Sequence, residues 1–139
     1  MEKKYKFLPH TADVKFQAFG NTIEKAFSNS FLALKETIAD KTTIKSKIEK
    51  TLKVKGNDLQ SLLHNFLEEF LYLMEAEHFI ASKIKDIKID EKNLTMNATV
   101  LGDNTKNYTL PNKVKAITYN DILIEKNHKT WKTQIVLDT

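Results

Sequence analysis

Two stretches near the ends of the sequence carry oxygen-rich side chains that could bind a cation. The first is the block His10–Asp13, and the second is Asp138 followed by Thr139 with its terminal carboxylate. If the strands bearing Asp13 and Asp138 lay side by side, two or three carboxylates would converge. Their repulsion would be relieved by a hard cation such as Ca²⁺ or Mg²⁺, or by a basic group of a partner.

A simpler interpretation exists for the first stretch. A block of small and polar residues after Pro9 is typical of a turn in which Thr11 or Asp13 accepts hydrogen bonds from nearby backbone N–H groups. Nothing in the spacing shows that Asp13 and Asp138 are adjacent. From the residues alone, the turn is favoured and the cation site is the alternative.

A third candidate is the basic segment Lys113–Tyr119. Lys115 could contact a phosphate or a carboxylate, although solvent-facing lysines between inward-facing apolar residues are the simpler explanation. The histidines do not form a metal centre, because His64 and His78 are separated by about 21 Å along a helix. We expect both of them, together with His128, at the surface or in helix caps.

The composition of this 139-residue chain excludes several classes of protein. The absence of cysteine excludes disulfides, thiolate metal sites and a cysteine nucleophile. The longest apolar run, Phe70–Met74, is far shorter than a membrane span, so we expect a cytoplasmic protein without a membrane partner. The net charge of +4 includes no arginine, which argues against tight, sequence-specific recognition of nucleic acids. No common catalytic motif is present, which argues against a free-standing enzyme.

The elements that must position these residues follow from the hydrophobic periodicity. Alternating apolar residues predict a strand over Asp13–Gly20, and an amphipathic helix follows with Asn21 as its expected N-cap. A long or bulged strand with a solvated face is predicted from Ile44 through Val54, ending at Gly56. The strongest apolar stripe begins after an expected cap at Asn57, runs to about Phe79, and predicts the helix that forms the spine of the core.

The rest of the chain is predicted to be β-structure. A hairpin is expected from Lys83–Ile89 and Leu94–Val100, followed by a polar loop at Gly102–Asn112. Three further strands are expected at Val114–Thr118, Ile122–Ile124 and Trp131–Leu137. The sequence therefore predicts an α+β fold, a single domain over residues 1–139 with two amphipathic helices packed on a mainly antiparallel sheet.

The two helix entries echo each other at a spacing of 36 residues. Gly20 and Asn21 correspond to Gly56 and Asn57, and Asn29 corresponds to Asn65. Duplication of a strand–helix unit would explain this echo. So would the ordinary use of glycine and asparagine where a strand turns into a helix.

Several segments together resemble the archease family. They are Phe7–Val14, Phe19–Phe27, Asp58–Leu63 with Phe66–Tyr72, Val114–Tyr119 and Val136–Asp138. The similarity runs in order over essentially the whole chain. Its most distinctive parts are the His-Thr-Ala-Asp and Val-Lys-Ala-Ile-Thr-Tyr blocks.

The resemblance implies an accessory protein and not an enzyme. Archeases activate RtcB-type RNA ligases in tRNA splicing by promoting guanylylation of the ligase and its multiple turnover. Some are linked to a tRNA cytosine-5 methyltransferase as chaperone-like modulators, which is the alternative function. With either partner, contact with tRNA is expected to be indirect.

The resemblance also implies a set of site residues. A metal site is expected at Asp13, Asp138 and Thr139, with Ca²⁺ as the first choice of ion and Mg²⁺ or Mn²⁺ as alternatives. Contact with the partner or support of the site is expected from His10, Lys115 and Thr118.

This chain departs from the family's pattern near the basic segment. Many members have a histidine at the position of Asn120 and another in the preceding loop, where residues 108–112 contain none. An acidic residue often occupies the position of Lys113. The resemblance therefore assigns no role to a histidine at these places.

Two other functional classes make distinct predictions. A lysine-rich RNA-binding module would lose affinity steeply as salt rises, because phosphate contacts release counterions. A small metal-dependent hydrolase would turn over substrate by itself, although the sequence offers no evident pair of general base and nucleophile.

Overall fold

The computed structural model describes residues 3–10 and 12–139, which form eight strands and two long helices. The strands are β1 (Tyr5–Leu8), β2 (Val14–Gly20), β3 (Ile48–Lys55), β4 (Phe79–Asp90), β5 (Thr95–Asn104), β6 (Ala116–Ile117), β7 (Leu123–Asn127) and β8 (Thr130–Asp138). The α-helices are α1 (Ile23–Ala39) and α2 (Leu59–Glu77), and a 3-10 helix lies at Thr105–Asn107. Neither α-helix is long and apolar enough to cross a membrane.

The strands form two antiparallel sheets, and the predicted α+β class is confirmed. In the five-stranded sheet the order is β1-β2-β8-β6, and β7 pairs with the same edge of β8 farther along. The three-stranded sheet has the order β3-β5-β4. Helix α1 packs mainly on the first sheet and also touches β4, whereas α2 lies against β3, β4 and β6. The helices therefore join two sheets where the sequence predicted one.

Helix α2 is the spine of the core, as predicted. Its apolar stripe is fully buried at four positions, Leu62, Leu63, Phe66 and Leu67. The aromatic rings of the two helices meet in two pairs, Phe27 with Phe66 at 5.9 Å and Phe31 with Phe70 at 4.5 Å between centroids. Burial of these large side chains supplies much of the hydrophobic driving force, at about 1.5–3 kcal/mol for each fully buried side chain.

The N-cap of each helix lies one residue later than predicted. Thr22, not Asn21, caps α1 by accepting a hydrogen bond from the backbone N of Lys25. Glu24 stands three residues after Asn21, the position of the acidic residue in a capping box, but it accepts a hydrogen bond from the backbone N of Ile89 in β4. The tertiary contact with the neighbouring sheet removes Glu24 from the local capping pattern.

The second cap shows the same shift. Asp58, not Asn57, caps α2, and it forms a reciprocal capping box with Ser61. The helix ends at Glu77, where His78 adopts the left-handed conformation of a C-cap. Phe79, the expected last helical residue, is instead the buried first residue of β4.

The two strand–helix joints have equivalent contacts. A Cβ added at Gly20 would lie 2.5 Å from the backbone N of Ala26, and one at Gly56 would lie 2.5 Å from the backbone N of Leu62, six residues on in both cases. The side-chain amide of Asn29 donates to the carbonyl of Phe19. In the same way, the amide of Asn65 donates to the carbonyl of Lys55. The echo in the sequence thus corresponds to one repeated packing arrangement.

The strand boundaries differ from the sequence prediction at several places: β4 begins at Phe79 instead of Lys83, β7 runs to Asn127 instead of Ile124, and four further differences follow. Strand β1 was not expected, because its four residues carry too short a pattern to distinguish. Ile44, expected in β3, is buried in the segment before that strand. The expected polar loop begins after Asn104, since residues 102–104 continue β5. Strand β6 contains only Ala116–Ile117 of the five residues predicted.

The buried carboxylate of Asp103 links the end of β5 to the loop that follows it and, through Tyr108, to the segment that contains Lys45. Asp103 accepts hydrogen bonds from the hydroxyl of Tyr108 at 2.7 Å, the backbone N of Asn104 at 2.8 Å and the side chain of Asn107 at 3.3 Å. The Tyr108 hydroxyl also accepts a hydrogen bond from the backbone N of Lys45. These bonds, led by that from Tyr108, hold the pKa of the Asp103 carboxyl below its usual value.

We expect Asp103→Asn to lower the urea midpoint of unfolding at pH 7. Because the folded-state pKa of Asp103 is lowered, its stabilising effect is present above the unfolded pKa of about 3.9 and is lost as pH falls through the folded value. The difference in the free energy of unfolding between wild type and variant should therefore decrease as pH falls below about 4. Asp86→Asn, at an exposed position of β4, is the control. An equal effect of the two substitutions at pH 7 would contradict this role of Asp103.

Candidate functional site

The pairing of β2 with β8 brings the two acidic stretches of the sequence together. The strands run antiparallel, and the last paired residues at this end are Val14 and Leu137. Asp13 and Asp138 are each the next residue beyond that pair. The adjacency that the spacing alone left open therefore follows from the register of the sheet.

An open cavity of about 720 Å³ lies at this end of the sheet. His10, Asp13 and Thr139 all line it, whereas the side of α1 contributes Glu36 and Asp40. We call this set of five residues the acidic end. Asp138 does not line the cavity, and its carbonyl accepts a hydrogen bond from the backbone N of Lys115 at 2.7 Å. Thr11, the second residue of the predicted block, lies outside the described residues.

The electrostatics of the acidic end favour a cation. Helix α1 terminates here with Asp40 as its C-cap and no basic residue in its last turn, so the negative end of the helix dipole adds to the carboxylates. The hydroxyl of Tyr5 donates to Glu36 at 2.8 Å. Burial, together with the hydrogen bond and negative charge of Glu36, raises the pKa of Tyr5 to about 12. Two cations, Lys15 and Lys113, also line the cavity and partly offset the negative charge.

The donor atoms at the acidic end are oxygens, which a hard cation prefers, but too few side chains of the described residues are grouped there to form a complete metal site. Asp13 and Thr139 bring oxygen donors to one cavity, and oxygen is the ligand that Ca²⁺ and Mg²⁺ prefer. Among residues 3–10 and 12–139, however, no three His, Asp or Glu side chains are grouped so that they could hold a metal ion. A cation here would therefore depend on donors beyond such side chains, including oxygens of Thr139 and water.

Lys115 and Thr118, the predicted support residues of the basic segment, each donate a backbone hydrogen bond to β8. Lys115 has an exposed side chain that lines a second cavity of about 590 Å³ with Lys113. The Thr118 hydroxyl donates to the carbonyl of Val136 at 3.0 Å and accepts from the backbone N of Asn120. Thr118 thus positions the turn after β6, and it holds that turn against the strand that carries Asp138.

His64 has a role that the sequence interpretation missed. It is neither a surface nor a capping residue: its Nε2 donates to the carbonyl of Ile117 at 2.8 Å, and its ring stacks on Tyr119 with centroids 4.1 Å apart. One turn along α2, Glu68 accepts a hydrogen bond from the backbone N of Ile117. The spacing of four between His64 and Glu68 was the available signal, because such residues share a helix face.

These contacts provide hydrogen-bond partners for the edge of β6 that faces away from β8. A strand edge has unpaired N–H and C=O groups, and α2 satisfies both groups of Ile117 with side chains. The expectation of a surface or capping role is confirmed for the other two histidines. His78 is the C-cap of α2, and His128 is exposed in the turn between β7 and β8.

Comparisons with known proteins agree over nearly the whole chain. Residues 5–139 match the model of the Archease protein family. The chain is 38% identical to the protein archease of Methanosarcina barkeri, over 98% of this chain and 96% of that protein. It is 35% identical to the protein archease of Pyrococcus furiosus, over 98% of this chain and 99% of that protein.

Two solved structures share the fold. The solution structure of Methanobacterium thermoautotrophicum protein 1598 has a TM-score of 0.83 and 29% identity, covering 98% of this chain and 99% of that one. The crystal structure of a Thermotoga maritima archease, described as a possible chaperone, has a TM-score of 0.62 and 21% identity, covering 100% and 98%. The second likeness concerns the fold alone.

We expect His64→Ala to destabilise the protein by about 1–3 kcal/mol, because it leaves the buried carbonyl of Ile117 without its hydrogen-bond donor. Urea unfolding measures the change, and amide hydrogen exchange at Thr118 should accelerate as β6 loosens. His128→Asn is the control, since it replaces an exposed histidine by a residue that tolerates a positive φ. Wild-type stability of His64→Ala would show that α2 does not hold β6 through this side chain.

Proposed function

The chain belongs to the archease family, and we propose that it is an accessory protein that activates an RtcB-type RNA ligase in tRNA splicing. It promotes guanylylation of the ligase and lets the ligase turn over repeatedly. A role that acts through a protein partner is consistent with the description of the Thermotoga maritima relative as a possible chaperone.

The acidic end is the observation that carries this proposal. Asp13 and Thr139 line an open cavity at the end of β2 and β8, where another protein can reach them. A ligase that loads metal ions and a guanylate has a centre that attracts carboxylates. The acidic end docks at that centre and assists the loading of metal or nucleotide.

The surrounding residues have supporting roles in this proposal. His10 orients the turn that leads into Asp13, and Lys115 makes a secondary contact with the partner. Thr118 keeps the turn after β6 in place through its hydrogen bond to Val136. Each of these residues acts by positioning or binding, so the protein itself catalyses no bond change.

The proposal includes a divalent cation, with Ca²⁺ first and Mg²⁺ or Mn²⁺ as alternatives. Asp13, Asp138 and Thr139 would hold it through oxygen atoms. When bound, the cation supplies positive charge that relieves the repulsion among these groups. The neighbouring Asp13 and Asp138 and the carbonyl end of α1 provide the negative potential that attracts it.

Multiple-turnover ligation by the source organism's own RtcB-type ligase tests the proposed function. With RNA in excess over enzyme, we expect the protein to stimulate product formation. Asp13→Ala and Asp138→Ala should each fold normally and lose this stimulation roughly tenfold or more, which corresponds to about 1.4 kcal/mol of interaction. Asp86→Ala, an exposed carboxylate on β4, is the matched control and should stimulate like wild type.

Two results would contradict the proposal. Full stimulation by both Asp13→Ala and Asp138→Ala would show that these two aspartates take no part in activating the ligase. No stimulation by the wild-type protein, with a ligase shown to be active, would favour the alternative function as a chaperone-like modulator of a tRNA cytosine-5 methyltransferase.

Cation binding is tested without any ligase. Because a ligand that binds the folded state stabilises it, Ca²⁺ at 100 times its Kd should add about 2.7 kcal/mol and raise Tm. Asp13→Asn should abolish most of this rise, whereas Asp86→Asn should keep it. Isothermal titration with Ca²⁺, Mg²⁺ and Mn²⁺ then ranks the ions. Equal Ca²⁺ effects in the two variants would exclude Asp13 as a ligand.

A further inference from the structure

The end of the molecule opposite Asp13 has a cavity lined by lysines. It has a volume of about 500 Å³ and lies where β2 ends and α1 begins, beside β4. Four of its lining residues are basic, and they come from three separate parts of the chain: Lys3, Lys4, Lys25 and Lys83. No aspartate or glutamate lines it. Asn21 and Ser28 add neutral hydrogen-bonding groups.

These lysines have no acidic partners in the described chain. The lysine ion pairs found within 4 Å involve other residues, Lys15, Lys50, Lys85 and Lys132. None of the four lysines of this cavity is therefore within 4 Å of a carboxylate of the described residues. Burial, together with the nearby charge of Lys4, lowers the pKa of Lys35, which donates to the carbonyl of Ser82. Several ammonium groups thus share this part of the surface.

A smaller cavity adjoins this lysine-lined cavity. It has a volume of about 310 Å³ and shares Lys3, Phe19 and Gly20 with its neighbour. Lys6 also lines it, with its ammonium 5.9 Å from the centre of the Phe19 ring. We call the two adjoining cavities together the lysine groove and define it by its basic residues, Lys3, Lys4, Lys6, Lys25 and Lys83.

We propose that the lysine groove binds the sugar–phosphate backbone of RNA without reading its sequence. Lysine ammonium groups act as point charges for phosphate, and neutralising phosphates releases counterions from the polymer. The chain contains no arginine to form bidentate contacts with guanine edges. A groove built only of lysines and small polar groups therefore suits backbone contacts.

The shape of the groove favours a polymer. Two adjoining cavities carry five lysines from β1, α1, β4 and the segment before β1, so their charges are spread over a surface and do not converge on one point. A membrane surface would in addition need protruding apolar side chains. Among the described residues the large exposed hydrophobic side chains are Phe7, Ile48, Tyr72 and Tyr119, and none of them lines the groove.

The groove and the acidic end can be occupied at the same time. Strand β2 runs from the acidic end to Gly20, a length of about 20 Å, and α1 returns over the same distance. A protein partner at Asp13 therefore leaves the lysines accessible to RNA. Contact with tRNA would then be direct, whereas the family resemblance implies indirect contact.

Fluorescence anisotropy with a labelled 20-nucleotide single-stranded RNA tests this inference on the full-length protein alone. Because single strands give a slope of about −0.7 per neutralised phosphate, five lysines predict a slope near −3.5 in a plot of log K against log salt. Lys25→Gln with Lys83→Gln should reduce the magnitude of that slope by about 1.4 and weaken binding at least about tenfold at low salt. Circular dichroism and thermal melting confirm that the double variant is folded.

The matched control is Lys53→Gln with Lys92→Gln. It removes the same charge from exposed positions in the three-stranded sheet and its turn, away from the groove, and should bind like wild type. Equal weakening by the two double variants would overturn the proposal, since only net charge would matter. A flat salt dependence, or binding to vesicles of anionic lipid without binding to RNA, would overturn it as well. No ligase is present, so failure here is separate from failure of the proposed function.

Discussion

The pairing of β2 with β8 is the interaction on which the rest of the structure depends. It joins residues more than one hundred positions apart, and two of its inward-facing pairs, Phe16 with Ile135 and Ala18 with Thr133, are fully buried. On the same face, the hydroxyls of Ser30 in α1 and Thr133 in β8 share a buried hydrogen bond at 2.7 Å. Such long-range pairing costs chain entropy, which the buried apolar surface offsets. The same pairing fixes the position of Asp13 beside Asp138.

Helix α1 gives the two ends of the molecule opposite electrostatic character. Its amino end lies among lysines, and its carboxyl end lies between Glu36 and Asp40. Charges usually stabilise a helix by about 0.3–1 kcal/mol each when they oppose its dipole. Glu24 in the first turn of α1 does so, whereas Lys25 at the amino end and the carboxylates at the carboxyl end reinforce the dipole. Apart from Glu24, the charged residues at each end strengthen the electrostatic potential of the candidate binding surface there.

Helix α2 links the core to the site. Its apolar side packs in the centre of the protein, while His64 and Glu68 bind the backbone of Ile117 on β6. Strand β6 in turn pairs with Leu137 and Asp138 at the end of β8. The final residues are therefore held on one side by β2 and on the other by a short strand that α2 secures. This support lets an exposed acidic end keep a defined position.

The sequence by itself determined the helices, most strands and the family, because these depend on local periodicity and on short distinctive blocks. It also identified Asp13 and Asp138 as candidates, although only as residues that could bind a cation. Only the tertiary structure decided that they are neighbours, since strand register between distant segments has no local signal. The roles of His64 and Glu24 were likewise hidden, because their partners Ile117 and Ile89 are more than fifty positions away. The lysine groove belongs to the same class: its five cations come from separate elements, and only the folded chain brings them to one surface.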